Sequence, residues 1–467
     1  MKETIDAKQV RGDVKLSFRQ RVDYGVYEFG YYLTYNWITL FMSLYYTEVI
    51  GVPLTSVAAL TLLVRIFDAV NDPIIGSIAD RTKSRWGRYK PWTLVGGLCL
   101  AVLVALMFSA SPDWGMSLKV VYMYVLYILV TLASTACYMP YSALNGVLSA
   151  NAAERVTLSN FRVVFQNIGG QMTGMIAVPM VLYFAGTKTG PEAAPGYSKA
   201  VIICAAVFIP IAIYTSARVK EVVLQPPKQD KIPLKTQLAC LVKNPCALIA
   251  VLGLFMHGTA QYGRAGMLSY YFQYVVGDLG LVGVYSTISL VACFIGPPAA
   301  SLLHKALKHK GKAMTIAFLG VVVTTAPIYF IREIGIAFWL LLFVGQICVS
   351  AVGGISYGLV GDVTDYGEYK FGVRVDGFLA SFVSLSLKVG GAVGPAALML
   401  VIDQLGFVPN AATQNIAVVN ALAASISLVI SACSLIAAIA FLFYKLSDTE
   451  QSRIWAELEK RRAQDIS

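Results

Sequence analysis

The chain has 467 residues, 57% of them hydrophobic and only 13% charged, with a formal net charge of +11 and a mean hydropathy of +0.66. Soluble globular domains carry about 25% charged residues, so the balance excludes a soluble protein and reads as a polytopic membrane protein. The excess of Lys and Arg then reads as cytoplasmic loops facing the inner leaflet rather than as a nucleic-acid surface.

Residues 1–23 are polar and mixed in charge, without the apolar core and small-residue cleavage site of a signal peptide. Runs of about 20 apolar residues, separated by Gly, Pro and charged clusters, mark twelve spans. Six fall near 24–50, 54–79, 93–111, 117–148, 159–186 and 198–217, and six near 245–276, 280–304, 312–331, 335–360, 378–404 and 416–444. The polar stretch at 218–244, with Pro226, Pro227, Lys228, Asp230, Lys231 and Lys235, separates a half at 24–217 from one at 245–444. Two six-helix halves suggest the parallel repeats of a major-facilitator fold, all α, with substrate bound near the midplane. A faint internal echo supports this: Glu154-Arg155-Val156 leading to Gly169-Gly170, and Val373-Arg374-Val375 leading to Gly390-Gly391.

Positive charge gathers between the second and third spans (Arg81, Lys83, Arg85, Arg88, Lys90) and between the eighth and ninth (Lys305, Lys308, Lys310, Lys312). The opposite connections are short and poor in it, which places both termini in the cytoplasm. The tail at 445–467 reads as an amphipathic helix on the inner surface from Ser447 onward. Eight scattered cysteines form no CxxC or ligand cluster and read as small packing residues.

Polar residues inside the apolar spans carry the functional signal, because a charge at mid-bilayer costs roughly 2.5–3.5 kcal/mol even on the lenient insertion scale. In Arg65-Ile-Phe-Asp68-Ala-Val-Asn71-Asp72-Pro73, Asp68 and Asp72 are spaced i, i+4 and share one helical face. Two anions so placed need a cation or a proton between them. With Asn71 they offer hard oxygens for sodium, or they can share a proton. The alternative is a structural salt bridge from Arg65 to Asp68, which leaves Asp72 unbalanced.

Asp80, Arg85 and Arg88 belong to a basic loop whose composition a solvated cytoplasmic connection also explains. After the tenth span, Asp362, Asp365 and Glu368 lie on one helical face, with Arg374 following. That face is a candidate gate partner for the basic loop in an alternating-access cycle. Lys388, mid-span, needs a carboxylate, and Asp68 or Asp72 suits it. Arg162 and Arg264 can each bind an anionic substrate or simply satisfy a carbonyl or carboxylate. His257 and Gln261 share a polar face with Arg264, although His257 alone reads as a core histidine. The first span is rich in aromatic rings around Glu28 (Tyr24, Tyr27, Tyr31, Tyr32, Tyr35, Trp37), which suits sugar stacking but also core packing and an interfacial belt.

Taken together, Tyr45-Tyr-Thr-Glu48-Val-Ile-Gly51, Arg65-Ile-Phe-Asp68-Ala-Val-Asn71-Asp72-Pro73, Ser84-Arg85-Trp86-Gly87-Arg88-Tyr89-Lys90-Pro91-Trp92 and Asp365-Tyr366-Gly367-Glu368-Tyr369 resemble the glycoside–pentoside–hexuronide:cation symporters, of melibiose permease-like type. The resemblance runs from Tyr24 to the twelfth span. It implies a Na+ site at Asp68, Asn71, Asp72 and Thr135, a lysine at Lys388 that links cation to sugar, and a sugar-pocket arginine at Arg162. The chain departs from melibiose carriers where Tyr32 and Tyr138 stand in place of two sugar-binding aspartates, Ser142 in place of a stacking tryptophan, and Gly353 in place of another. The coupling groups are kept and the galactoside-reading groups are lost.

The expected function is therefore import of a sugar or glycoside, an acidic one such as a glucuronide or another uronide being the expected class, with Na+ or H+ as coupling ion. Substrate contacts are expected from Glu28, Tyr32, Tyr138, Ser142, Arg162, Arg264 and Lys388. No other cofactor, no nucleic acid and no covalent chemistry is expected, and a monomer in a bacterial inner membrane suffices. Rival readings are a carrier of lysolipid or another amphiphile, and a transporter-like sensor that no longer translocates.

Overall fold

A computed structural model describes residues 16–82, 84–149, 152–219, 234–331, 333–372 and 376–464. Among them every regular element is helical. The first six long helices are α1 (Phe18–Leu44), α2 (Leu54–Arg81), α3 (Lys90–Met107), α4 (Met116–Leu148), α5 (Ala152–Ala185) and α6 (Ala194–Arg218). After the short α7 (Leu234–Val242) come α8 (Pro245–Tyr271), α9 (Leu281–Leu307), α10 (Lys310–Thr325), α11 (Ile336–Phe371) and α12 (Asp376–Gln404). The twelfth crossing is broken at Ser427 into α13 (Ile416–Ile426) and α14 (Leu428–Leu442), and α15 (Asp448–Gln464) ends the described chain.

Among the described residues, ten helical crossings are long and apolar enough to span a bilayer by length and composition. Helices α1 and α2 are the remaining two crossings, and they carry Asp23 and Glu28, and Asp68, Asn71 and Asp72, respectively. With them the chain makes the expected twelve. Helix α1 starts at Phe18, earlier than apolarity alone predicts. A capping box explains this, with Ser17 Oγ accepting from Gln20 N at 3.3 Å while Gln20 Oε1 accepts from Ser17 N at 2.8 Å.

The chain divides into two compact units. One comprises Met1–Lys228 with Leu279–Thr287 and Val408–Ala412; the other holds Gln229–Asp278, Ile288–Phe407 and Thr413–Ser467. In the first unit α1 runs along α5 and α6, α3 packs on α4 and α6, and α2 on α4. A Cβ on Gly169 would strike the Phe29 carbonyl, so only glycine lets α5 approach α1 so closely. Phenol groups pin α1 and the π-helical turn after it to α3: Tyr27 donates to the Thr93 carbonyl at 2.8 Å and Tyr46 to that of Met107 at 2.7 Å.

In the second unit α8 runs along α12 and α14, and α10 packs on α11 and α14. Here Gly390 meets the Phe255 carbonyl as Gly169 meets Phe29. The faint echo in sequence thus marks equivalent crossings, where the first helix of each half meets the fifth. Within the polar stretch before α8, residues 234–242 form a helix whose Cys240 and Leu241 are buried in the core of this unit. The amphipathic α15 places Ile454 and Leu458 in that same core.

Candidate functional site

Among the described residues, three polar groupings lie inside the spans. The first joins α2 to α4. One helical turn brings Asp68 and Asp72 onto the same face of α2, and the Thr135 hydroxyl of α4 lies 3.2 Å from Asp68 Oδ1 and 3.1 Å from Asp72 Oδ1. Thr135 and Asn71 are buried, and the two aspartates are half-buried. A hydroxyl has one proton and can donate it to only one of the carboxylates at a time. The arrangement therefore concentrates oxygen donors and negative charge around one point, which a small hard cation or a proton would relieve. The Arg65 side chain lies outside the described residues.

The second grouping joins α1, α4 and α5. Arg162 Nε donates to Glu28 Oε1 at 2.8 Å and its Nη2 lies 2.6 Å from the same oxygen, while Nη2 also donates to Ser142 Oγ at 3.1 Å. The guanidinium sits over the rings of Tyr141 (4.9 Å) and Tyr138 (5.5 Å). The aromatic first span is divided by burial. Tyr24, Tyr27, Tyr31 and Trp37 are buried, with Tyr24 and Tyr141 exchanging hydroxyl-to-carbonyl bonds of 3.2 and 2.7 Å; Tyr32 and Tyr35 stay half-buried. Core packing claims the former group. Tyr31 keeps Tyr32 and Tyr138 in place, with ring centroids 5.1 and 5.2 Å from its own.

The third grouping belongs to the second unit. Arg264 on α8 is buried, and its Nη2 donates to Gln261 Oε1 at 2.8 Å and to Gln346 Oε1 of α11 at 2.6 Å. Gln346 was not singled out from the sequence, although an amide between Gly345 and Ile347 in an apolar run was a legible signal. Lys388 is half-buried on α12. At Gly353 on α11 a Cβ would meet nothing within 4 Å.

Of the candidate gate residues, Asp362 is held by Lys310 of its own unit, with Nζ 2.7 Å from both carboxylate oxygens. Asp365 accepts from Gln451 of α15 at 3.3 Å and Glu368 is half-buried. Arg85 and Arg88 lie over the rings of their neighbours Trp86 and Tyr89. The Asp80 side chain and Arg374 lie outside the described residues.

The family model described as "MFS/sugar transport protein" matches residues 23–448. The chain belongs to that family. It is a multi-pass membrane transporter, not an enzyme. An isoprimeverose transporter of Lactiplantibacillus pentosus is 30% identical over 96% of this chain and 92% of its own length. A glucuronide carrier protein homolog of Escherichia coli (strain K12) is 25% identical over 96% of this chain and 97% of its own. Among solved structures, a bacterial homolog of the human lysosomal transporter Spinster superposes with a TM-score of 0.65 at 13% identity, covering 94% of this chain and 99% of that one. That likeness speaks to the fold alone.

Proposed function

We propose that this transporter is a cation-coupled symporter that imports a sugar or glycoside by alternating access, with an acidic sugar as its preferred substrate class. It works in a bacterial inner membrane with both termini in the cytoplasm. The observation that carries the reading is the convergence of Thr135 on both Asp68 and Asp72. A coupling cation, Na+ or H+, would be taken there and would neutralise the pair. Asn71, buried within the same helical turn, would complete the oxygen set for Na+.

The acidic preference is supported by two features of the chain. Arg162 and Arg264 stand at the groupings described above, and the two sugar-binding aspartates of melibiose carriers are replaced by the phenols Tyr32 and Tyr138. Negative charge is thereby removed while the cations remain. A relative named as a glucuronide carrier homolog adds support. The gate pairing of the Asp80, Arg85 and Arg88 loop with Asp362, Asp365, Glu368 and Arg374, and the coupling role of Lys388, are part of the same proposal.

The test is thermal stability of the purified carrier against neutral and acidic glycosides, in sodium or in choline at equal ionic strength. A ligand at 100 times its Kd that binds only the folded state adds about 2.7 kcal/mol, enough to read as a shift in Tm. Stabilisation by an acidic sugar that grows with sodium is expected. Stabilisation by neutral glycosides only, indifferent to sodium, would replace both parts of the reading.

A further inference from the structure

Glu28 is bound in a way that contact with a sugar hydroxyl does not require. Its side chain is fully buried, whereas 15% of the Arg162 side chain remains exposed. Both bonds from Arg162 go to Oε1, and Oε2 has no hydrogen-bond partner among the described residues. The titratable and charged groups around the carboxyl are Arg162 of α5, Tyr141 and Cys137 of α4, and Tyr24 and Tyr27 of α1 itself. The neighbouring α6 contributes Phe208, and α3 the Thr93 carbonyl already taken by Tyr27. Among the described residues Arg162 is thus the cation that balances Glu28.

A buried carboxylate that loses its cation is costly, and it is relieved by taking a proton instead of staying charged. Arg162 is the member of the pair that a solute can reach, and a guanidinium prefers the planar, bidentate geometry of a second carboxylate. We propose that Glu28 is a proton-binding site, separate from the Asp68/Asp72 pair, at which one proton is taken up as Arg162 turns from Glu28 to the carboxylate of an acidic sugar. This rests on the acidic-substrate reading above and extends it.

The exchange balances. Before binding, Glu28 carboxylate and Arg162 guanidinium sum to zero. After it, Glu28 carries an O–H, Arg162 keeps its charge, and the sugar carboxylate supplies the negative partner. The proton comes from solvent with the sugar and departs when the sugar leaves. A neutral glycoside leaves the ion pair intact and takes no proton. The coupling is therefore selective for charge, and the cluster's net charge does not change as it loads.

The test uses the full-length carrier in detergent at saturating sodium. 4-Nitrophenyl glucuronide and 4-nitrophenyl glucoside are added in turn, binding is read by thermal shift, and protons are counted by calorimetry in two buffers of different ionisation enthalpy. About one proton per glucuronide is expected and none per glucoside. Glu28→Gln should still bind the glucuronide, with the proton uptake gone. Uptake that survives in Glu28→Gln, or glucuronide binding by the native carrier without uptake, overturns the proposal and leaves the substrate reading standing. Failure of any acidic sugar to bind defeats the substrate reading and this inference with it. Because Glu28→Gln leaves Arg162 without its carboxylate partner and can fail to fold, infrared difference spectra of the native carrier provide a second readout. A protonated-carboxyl band must appear with glucuronide and not with glucoside; its absence would also refute the exchange.

Discussion

At Thr135 a single hydroxyl serves two carboxylates, 3.2 Å from Asp68 and 3.1 Å from Asp72. Thr135→Val keeps the shape of the side chain and removes that oxygen. Leaving a buried polar group unsatisfied costs about 1–3 kcal/mol, and 1.4 kcal/mol is tenfold in affinity. The coupling-ion concentration for half-maximal uptake should therefore rise about tenfold or more in this variant. Thr135→Ser should stay near the native value, and Asp68→Asn or Asp72→Asn should abolish uphill uptake altogether. Concentrative transport that survives both aspartate changes would remove the cation assignment. Arg264 offers a second check at this scale. Its buried guanidinium is oriented by the amide oxygens of Gln261 and Gln346 at 2.8 and 2.6 Å. Arg264→Gln should weaken acidic sugars by about tenfold or more, the worth of a charge-assisted hydrogen bond, and change neutral ones little. Equal losses in a binding titration would assign Arg264 to helix packing.

Among the elements, α10 carries a titratable cap. His309 is its N-cap, and the ring Nδ1 accepts from the backbone N–H of Lys312 at 3.3 Å, which requires the neutral imidazole. Partial burial and the Lys312 ammonium hold His309 below its ordinary value, against the opposing pull of Asp448. A lowered value in the folded state means that the unfolded chain binds more protons. This contribution to stability is therefore present above about pH 6.5 and is lost as pH falls through the folded value. A helix start also disfavours the cation that forms. His309→Asn supplies a cap that does not titrate, so the fall in Tm between pH 7.5 and 5.5 should be shallower than in the native carrier, by the about 0.5–2 kcal/mol that a cap is worth. Parallel pH profiles would show that the cap is not the cause. Elements of this kind were only partly legible in sequence. Periodicity and apolar run length marked the spans, because lipid demands both. The capping box at Ser17 and the buried face of residues 234–242 were missed, since each depends on local hydrogen bonding or on packing against residues distant in the chain.

For the whole molecule, the sequence displayed the charges and concealed their partners. Asp68 and Asp72 announce themselves through their spacing, and Glu28 and Arg162 through being charged within apolar runs. That Arg162 pairs with Glu28, or that Asp362 belongs to Lys310, depends on helix crossings set by contacts such as Gly169 on Phe29, which no local pattern encodes. The proposed cycle joins such local sites through one shared equilibrium, and that imposes a quantitative demand. If the cation raises sugar affinity by some factor, the sugar must raise cation affinity by the same factor. Sugar Kd measured with and without saturating sodium, and sodium Kd measured with and without saturating sugar, should therefore give one coupling ratio, about 5–150-fold for a typical allosteric pair. Each positive charge carried inward adds about 2.3 kcal/mol per 100 mV to the gradient the carrier can sustain. With an acidic sugar at Arg162 and a proton at Glu28, the two added charges cancel, and the coupling cation proposed for Asp68 and Asp72 remains as the net charge moved. Accumulation of a glucuronide in proteoliposomes should then respond to membrane potential as one charge per sugar. Accumulation indifferent to potential, with the pH gradient intact, would mean that no cation beyond the Glu28 proton crosses with the sugar, and the coupling-cation site at Asp68 and Asp72 would have to be withdrawn.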